Sequence, residues 1–123
     1  MLIMAIDDDP AILRMIERML AGTGHLCESF SDASLALESL DRRPVDLIIT
    51  DIIMPKMEGI ELILNLRVRQ PALPIIAMSG GSSALRIDAL RLADRLGASF
   101  LLPKPFTRDS LLDTIGKAIG ENA

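Results

Sequence analysis

Five short apolar runs, LIMAI (2–6), HLCESF (25–30), VDLIIT (45–50), PIIAM (74–78) and SFLL (99–102), alternate with segments whose apolar residues recur every three or four positions. That alternation limits the fold more than any other feature of the chain. The short runs have strand length and are bounded by turn residues. The intervening segments have helical spacing: Ile12, Ile16, Met19 and Leu20; Ala33, Leu37 and Leu40; Ile60, Ile63, Leu64 and Leu66; Leu85 to Leu96; and Leu111, Leu112, Ile115 and Ile119. Five βα units in direct succession, with no linker and no sequence repeat, predict a parallel sheet with helices on both faces. Each right-handed crossover has to cover one face.

The runs at 2–6, 45–50 and 74–78 are almost continuously apolar, as strands buried on both faces must be. The run at 25–30 contains Glu28 and Ser29, and the last run leads into Pro103, which has no N–H to offer a ladder. Those two belong at the edges. The predicted architecture is therefore α/β: a flavodoxin-like (βα)5 doubly wound parallel sheet with strand order 2-1-3-4-5. A chain of 123 residues is assigned to one domain, 1–123, with no output domain.

Half of the residues are hydrophobic, but there are three Phe and no Trp or Tyr. The core is thus aliphatic, and no aromatic platform is available for stacking bases. A formal charge of -4, with Lys and Arg scattered singly, provides no basic stripe for a phosphate backbone. No direct nucleic-acid partner is expected. No apolar run approaches the length of a membrane span, and MLIMAIDDD has no basic start of a signal peptide. A cytoplasmic location without membrane insertion is expected. Cys27 is the single cysteine, which suits a reducing compartment, and it reads as a small buried hydrophobe rather than a reactive thiol.

In an open parallel sheet the carboxyl ends of the strands share one edge, and ligands bind at the switch point between the first and third strands. Asp51 ends the third run, Asp7 and Asp8 follow the first, Ser79, Gly80 and Gly81 follow the fourth, and Lys104 follows the fifth. In DDDP, Asp9 and Pro10 are accounted for as a helix N-cap and first helical residue; Asp7 and Asp8 are not. Three carboxylates gathered at one edge repel one another, and protonation or a cation relieves that repulsion. Mg²⁺ suits them, because it keeps several waters and completes its octahedron with phosphate oxygens. No Cys or His cluster exists for zinc.

Ser79 before glycine is by itself an ordinary turn residue, but here it ends a central strand beside glycines that let backbone N–H groups approach an anion. Lys104, bracketed by prolines in LPKPF, supplies a directed point charge for a phosphate or a carboxylate. A carboxylate, a divalent cation, a hydroxyl and a lysine together describe phosphoryl transfer with Asp51 as nucleophile. An aspartate in water, with a pKa of about 3.9, is ionised at neutral pH and needs no general base.

IDDDP, VDLIITDIIMPKMEG, MSG and LPKPF, in this order and at these spacings, resemble the receiver domain of two-component response regulators of the single-domain, chemotaxis-regulator kind. The resemblance covers essentially the whole chain. It implies a phosphoacceptor switch in phosphorelay signal transduction, with Asp51 taking a phosphoryl group from a sensor histidine kinase or a histidine phosphotransfer protein. It also implies Mg²⁺ held by Asp7, Asp8, Asp51 and the backbone carbonyl of Ile53, with Ser79 and Lys104 at the family's hydroxyl and lysine positions and a cis bond before Pro105. Such a domain catalyses only its own phosphorylation and dephosphorylation. The donor is expected beside the first helix, and a downstream protein target or second copy on the face of the fourth helix, fifth strand and fifth helix. Ile53 and Gly81 flank the site and would tune the phosphoryl lifetime. One position departs from the family: the switch aromatic expected three residues before the lysine is Leu101. Phe100 lies one place earlier, on the opposite face of a regular strand. The switch is then expected to work by drawing Ser79 and the loop containing Gly80 and Gly81 toward the phosphoryl group rather than by a ring flip.

Other classes fit less well. A haloacid dehalogenase-like phosphatase needs a second acid two residues after the nucleophile, where this chain has Ile53. A flavodoxin-like cofactor carrier needs a hydroxyl-rich loop after the first strand and aromatics around a flavin. A non-phosphorylated receiver-like interaction module would show a broken acidic pocket, whereas these pocket residues are complete. His25 starts an edge strand, unlike a phosphohistidine carrier's residue on an exposed helix.

Overall fold

The computed structural model describes residues 1–52, 59–80, 91 and 100–120. The expected turn after Asp51, the fourth helical segment apart from Arg91, Ile53 and Gly81 lie outside the described residues. The strands are β1 (Leu2–Ile6), β2 (Leu26–Phe30), β3 (Leu47–Asp51), β4 (Ile75–Ser79) and β5 (Phe100–Pro103). The helices are α1 (Pro10–Leu20), α2 (Ala33–Arg42), α3 (Gly59–Arg69) and a C-terminal helix, Arg108–Ala118. All strand pairs are parallel, in the order β2-β1-β3-β4-β5, which is the predicted order.

Alternation along the central strands builds two cores. Ile3 and Ala5 of β1 face one way, joining Ile49, Ile76 and Met78 under α1 and the C-terminal helix. Met4 and Ile6 face the other way, joining Ile48, Ile75 and Ala77 under α2 and α3. This period-two division is why β1, β3 and β4 read as continuous apolar runs. The edge strands β2 and β5 are only half-buried over most of their length. Pro103 ends β5 opposite Ser79, at an edge where a missing donor is tolerated.

The first helix starts where the sequence indicates. Asp9 caps α1, its side chain accepting the N–H of Ala11, and Pro10 is the first helical residue. Asp32 caps α2, and Thr107 and Ser110 form a reciprocal capping box on the C-terminal helix. The inward faces differ in detail from expectation. In α3 the buried residues are Leu62, Ile63 and Leu66, whereas Leu64 is 47% exposed. At about 100° per residue, a stripe centred on 62, 63 and 66 carries position 64 away from the sheet. In α1, Leu13 joins Ile16 and Leu20 in the core, while Ile12 and Met19 are half-buried. No described helix is long and apolar enough to cross a membrane.

Candidate functional site

The carboxyl ends of β1, β3, β4 and β5 bring the acidic and basic residues to one edge. Asp7 follows β1 directly, and its N–H still donates to the carbonyl of Phe30 at 3.1 Å, so the sheet fixes its backbone. Its carboxylate is wholly buried. One oxygen accepts the N–H of Asp9 at 2.9 Å, in the turn that opens α1. Asp8 is exposed beside it. Asp51 is the last residue of β3, paired with Met78, and is 7% exposed. Ile52 continues the ladder, its N–H donating to the carbonyl of Met78 at 3.0 Å.

Lys104 reaches this edge from the end of β5. Its N–H donates to the carbonyl of Ser79 at 2.8 Å, and the peptide bond to Pro105 is cis. Its ammonium donates to Asp7 Oδ2 at 2.7 Å and to Asp51 Oδ2 at 3.3 Å. Gly80 lies against the lysine stem, where a Cβ would meet Lys104 Cδ at 3.5 Å and Cβ at 3.6 Å. Ser79 is buried at the end of β4, and its hydroxyl donates to the Gly80 carbonyl at 3.4 Å. Oxygens of Asp7, Asp8 and Asp51 lie within 4.8 Å of one another.

Among the described residues, three carboxylates and one ammonium leave an excess of negative charge at this edge. Burial raises the pKa of Asp7, and the charge of Asp51 adds to the rise, while the hydrogen bonds from Lys104 and Asp9 oppose it. Burial alone would depress Lys104, but the hydrogen bond to Asp7 and the charges of Asp51 and Asp7 outweigh it, and its pKa is raised. Both groups thus hold a proton more firmly than they would in water, as expected where negative charge is in excess. The donor set is all oxygen, the chemistry that a hard divalent cation takes.

The structure therefore brings Asp7, Asp8, Asp51 and Lys104 together, with Ser79 and Gly80 alongside. Ile53 and Gly81 lie outside the described residues. Phe100 packs with the core under α1 and the C-terminal helix, and Leu101 with the opposite core, so the two occupy different faces of β5. Sequence reading did not single out Thr50, which is fully buried with its hydroxyl donating to the carbonyl of Asp51 at 3.0 Å. A hydroxyl in the otherwise apolar run before Asp51 was the available signal. The pairing of Asp7 with both Asp9 N–H and Lys104 was also not foreseen, because it depends on register across elements. A shallow cavity of about 300 Å³ on α3, lined by Glu61, Leu64, Asn65 and Val68, contains none of these groups.

The family model of the response regulator receiver domain matches residues 3–116 of the chain. The chain belongs to this family. Similar curated proteins include the DNA-binding transcriptional regulator NtrC of Escherichia coli K12, 36% identical over 118 residues, covering 96% of this chain and 24% of that protein. NtrC of Azospirillum brasilense is 36% identical over 120 residues, covering 98% of this chain and 24% of that protein. The receiver domain thus spans about a quarter of the length of the curated relatives it matches. Among solved structures, the NtrX receiver domain of Brucella abortus is 28% identical with a TM-score of 0.89, covering 96% of this chain and 98% of that one. The Vibrio cholerae chemotaxis protein CheY4 is 28% identical with a TM-score of 0.84, covering 95% of this chain and 97% of that one. Receiver domains work in two-component signalling as phosphoacceptor modules that interact with histidine kinases, and this chain is one of them.

Proposed function

We propose that Asp51 is the phosphoacceptor of this receiver domain and that Asp7, Asp8 and Asp51 bind Mg²⁺, with the Ile53 carbonyl as a further ligand. The observation that supports this most is the nearly buried Asp51 carboxylate, 3.3 Å from the Lys104 ammonium, with the oxygens of Asp7, Asp8 and Asp51 within 4.8 Å of one another. An Asp51 oxygen forms the new bond to phosphorus as the P–N bond of a phosphohistidine breaks. The electron pair leaves on the imidazole nitrogen, which takes up a proton. Lys104 stabilises negative charge on the transferred oxygens, and Ser79 is the hydroxyl that orients them. Mg²⁺ in the acidic set supplies charge neutralisation for the incoming phosphoryl group. Hydrolysis of the aspartyl phosphate is self-catalysed by the same groups.

The donor is a sensor histidine kinase or a histidine phosphotransfer protein, docking beside α1 in the cytoplasm. Phosphorylation changes contacts with a downstream protein, or with a second copy, on the side of β5 and the C-terminal helix. Leu101 and the Ser79–Gly81 region carry that change. The test is intact mass after incubation with Mg²⁺ and acetyl phosphate, beside Asp51→Asn. One added phosphoryl group that is labile to hydroxylamine, absent in the variant and in EDTA, supports the assignment. No addition with any phosphodonor overturns it in favour of a receiver-like module that acts only by binding.

A further inference from the structure

Thr50 is fully buried in β3, one residue before Asp51. Alternation along the strand places it on the same side as Ile48 and Ile52, which belong to the core under α2 and α3. Its register partners, Ile6 of β1 and Ala77 of β4, belong to that core as well. Valine has nearly the same shape and would bury there without a hydroxyl to desolvate, a cost that only a hydrogen bond offsets. Among the described residues, the Thr50 hydroxyl makes that bond with one acceptor, the carbonyl of Asp51, at 3.0 Å.

That carbonyl and the N–H of Ile52 are the two polar ends of one peptide group. The N–H donates to the carbonyl of Met78 on β4 at 3.0 Å. The peptide that follows Asp51 is therefore held at both ends, by the neighbouring strand and by the Thr50 side chain. Turning this peptide changes ψ of Asp51, and the rotamers open to a side chain depend on its own backbone angles. The two hydrogen bonds thus restrain the Asp51 carboxylate as well as the direction in which the chain leaves β3. Without the hydroxyl, the carbonyl loses that restraint and the peptide is freer to turn about its bond to Met78.

We infer that Thr50 is a positioning residue for phosphoryl transfer: through the Asp51 carbonyl, its hydroxyl holds the peptide after the acceptor and with it the orientation of the Asp51 carboxylate. This deepens the reading of Asp51 as phosphoacceptor and rests on it. Thr50 touches no reacting atom. What it contributes is the alignment of the attacking oxygen with the phosphorus and the leaving group, to which rate responds steeply. A hydroxyl that only satisfied itself on the nearest carbonyl would affect stability and leave the rate alone. The two groups on the Thr50 Cβ therefore have separable effects, the rate following the hydroxyl and the packing following the methyl.

Thr50→Val keeps the shape and removes the hydroxyl, whereas Thr50→Ser keeps the hydroxyl and removes the methyl. Each is compared with the wild type by thermal melting and by the initial rate of phosphoryl uptake, read as intact mass over a range of acetyl phosphate concentrations at saturating Mg²⁺. Thr50→Val is expected to lower the maximal rate about tenfold and to leave the half-saturating donor concentration unchanged. Thr50→Ser is expected to restore the rate to within about twofold of the wild type while melting at a lower temperature, because of the cavity that a lost methyl leaves. If Thr50→Val does not fold, Thr50→Ala takes its place, since it differs from Thr50→Ser only by the hydroxyl. A Thr50→Val protein that takes up phosphoryl groups at the wild-type rate, or a Thr50→Ser protein as slow as the hydroxyl-free variant, overturns the inference and leaves Asp51 as the acceptor. A wild-type protein that takes up no phosphoryl group, or an Asp51→Asn protein that takes one up equally well, overturns the acceptor reading and this inference together.

Discussion

Replacing Asp7 with Asn is expected to stabilise the folded domain when divalent cations are absent. The Asp7 side chain has no exposure, and burial, helped by the charge of Asp51, raises its pKa despite the hydrogen bonds from Lys104 and Asp9. A carboxylate whose folded pKa lies above its usual value is less stable, when charged, in the native state than in the unfolded chain. Between 3.8 and the raised value the folded state binds more protons than the unfolded state, so stability falls as pH rises through that window and stays lower above it. Asn keeps an oxygen for the Asp9 N–H and removes the charge, while Lys104 retains Asp51 as its partner. The gain near neutral pH is expected to be about 1–2 kcal/mol, in the range of relieving an unfavourable charge at a functional site. For 123 residues the unfolding entropy is roughly 0.26 kcal/mol/K, so Tm rises by roughly 4–8 °C.

Thermal melts of the wild type and Asp7→Asn in EDTA, followed from mildly acidic to neutral pH, measure this directly. The wild-type melting temperature is expected to drop through the window more than that of the variant. Adding Mg²⁺ is expected to raise the wild type and leave the variant nearly unchanged, since ligand binding stabilises only the state that binds. A variant that melts at or below the wild-type temperature in EDTA refutes the reasoning. It would mean that the Lys104–Asp7 ion pair outweighs the burial of the charge.

Two further outcomes concern groups outside the acidic cluster. Arg67 of α3 donates through Nη1 to the carbonyls of Gln70, Pro71 and Leu73, at 3.4, 3.2 and 2.6 Å, and so holds the turn into β4; Arg67→Met is expected to lower the urea midpoint by an amount equivalent to about 1–3 kcal/mol, and an unchanged midpoint would show that water satisfies those carbonyls as well. Burial raises the thiol pKa of Cys27, and the charges of Glu17 and Glu28 add to it, so a disulfide reagent near neutral pH is expected to react more slowly with the native protein than with the urea-unfolded chain, whereas equal rates would contradict the reading of Cys27 as an inert residue of β2.

The strand order was legible because it depends on which runs are apolar on both faces, a property each run carries by itself. Glu28, Ser29 and Pro103 marked the edges for the same reason. The convergence of Asp7, Asp8, Asp51 and Lys104 followed from topology, since the end of a strand in a parallel sheet is a position in space as well as in sequence. What was not legible depended on phase and register. Leu64 and Leu62 are equally apolar in composition, and only the rotation of α3 against the sheet decides which of them is buried. Likewise, sequence could not choose between Asp7 and Asp51 for Lys104, because the difference between 2.7 and 3.3 Å is set by side-chain torsions at the meeting of two strand ends.

The charge at this edge explains why a cation belongs in the proposed chemistry even before its effect on the transition state is considered. A phosphoryl donor brings negative charge to a nearly buried carboxylate that already has Asp7 and Asp8 as neighbours, with the Lys104 ammonium to offset them among the described residues. With that ammonium closer to Asp7 than to Asp51, a phosphoryl donor would approach Asp51, the proposed acceptor, against net repulsion. A divalent ion held by the proposed acidic set would reverse that local balance.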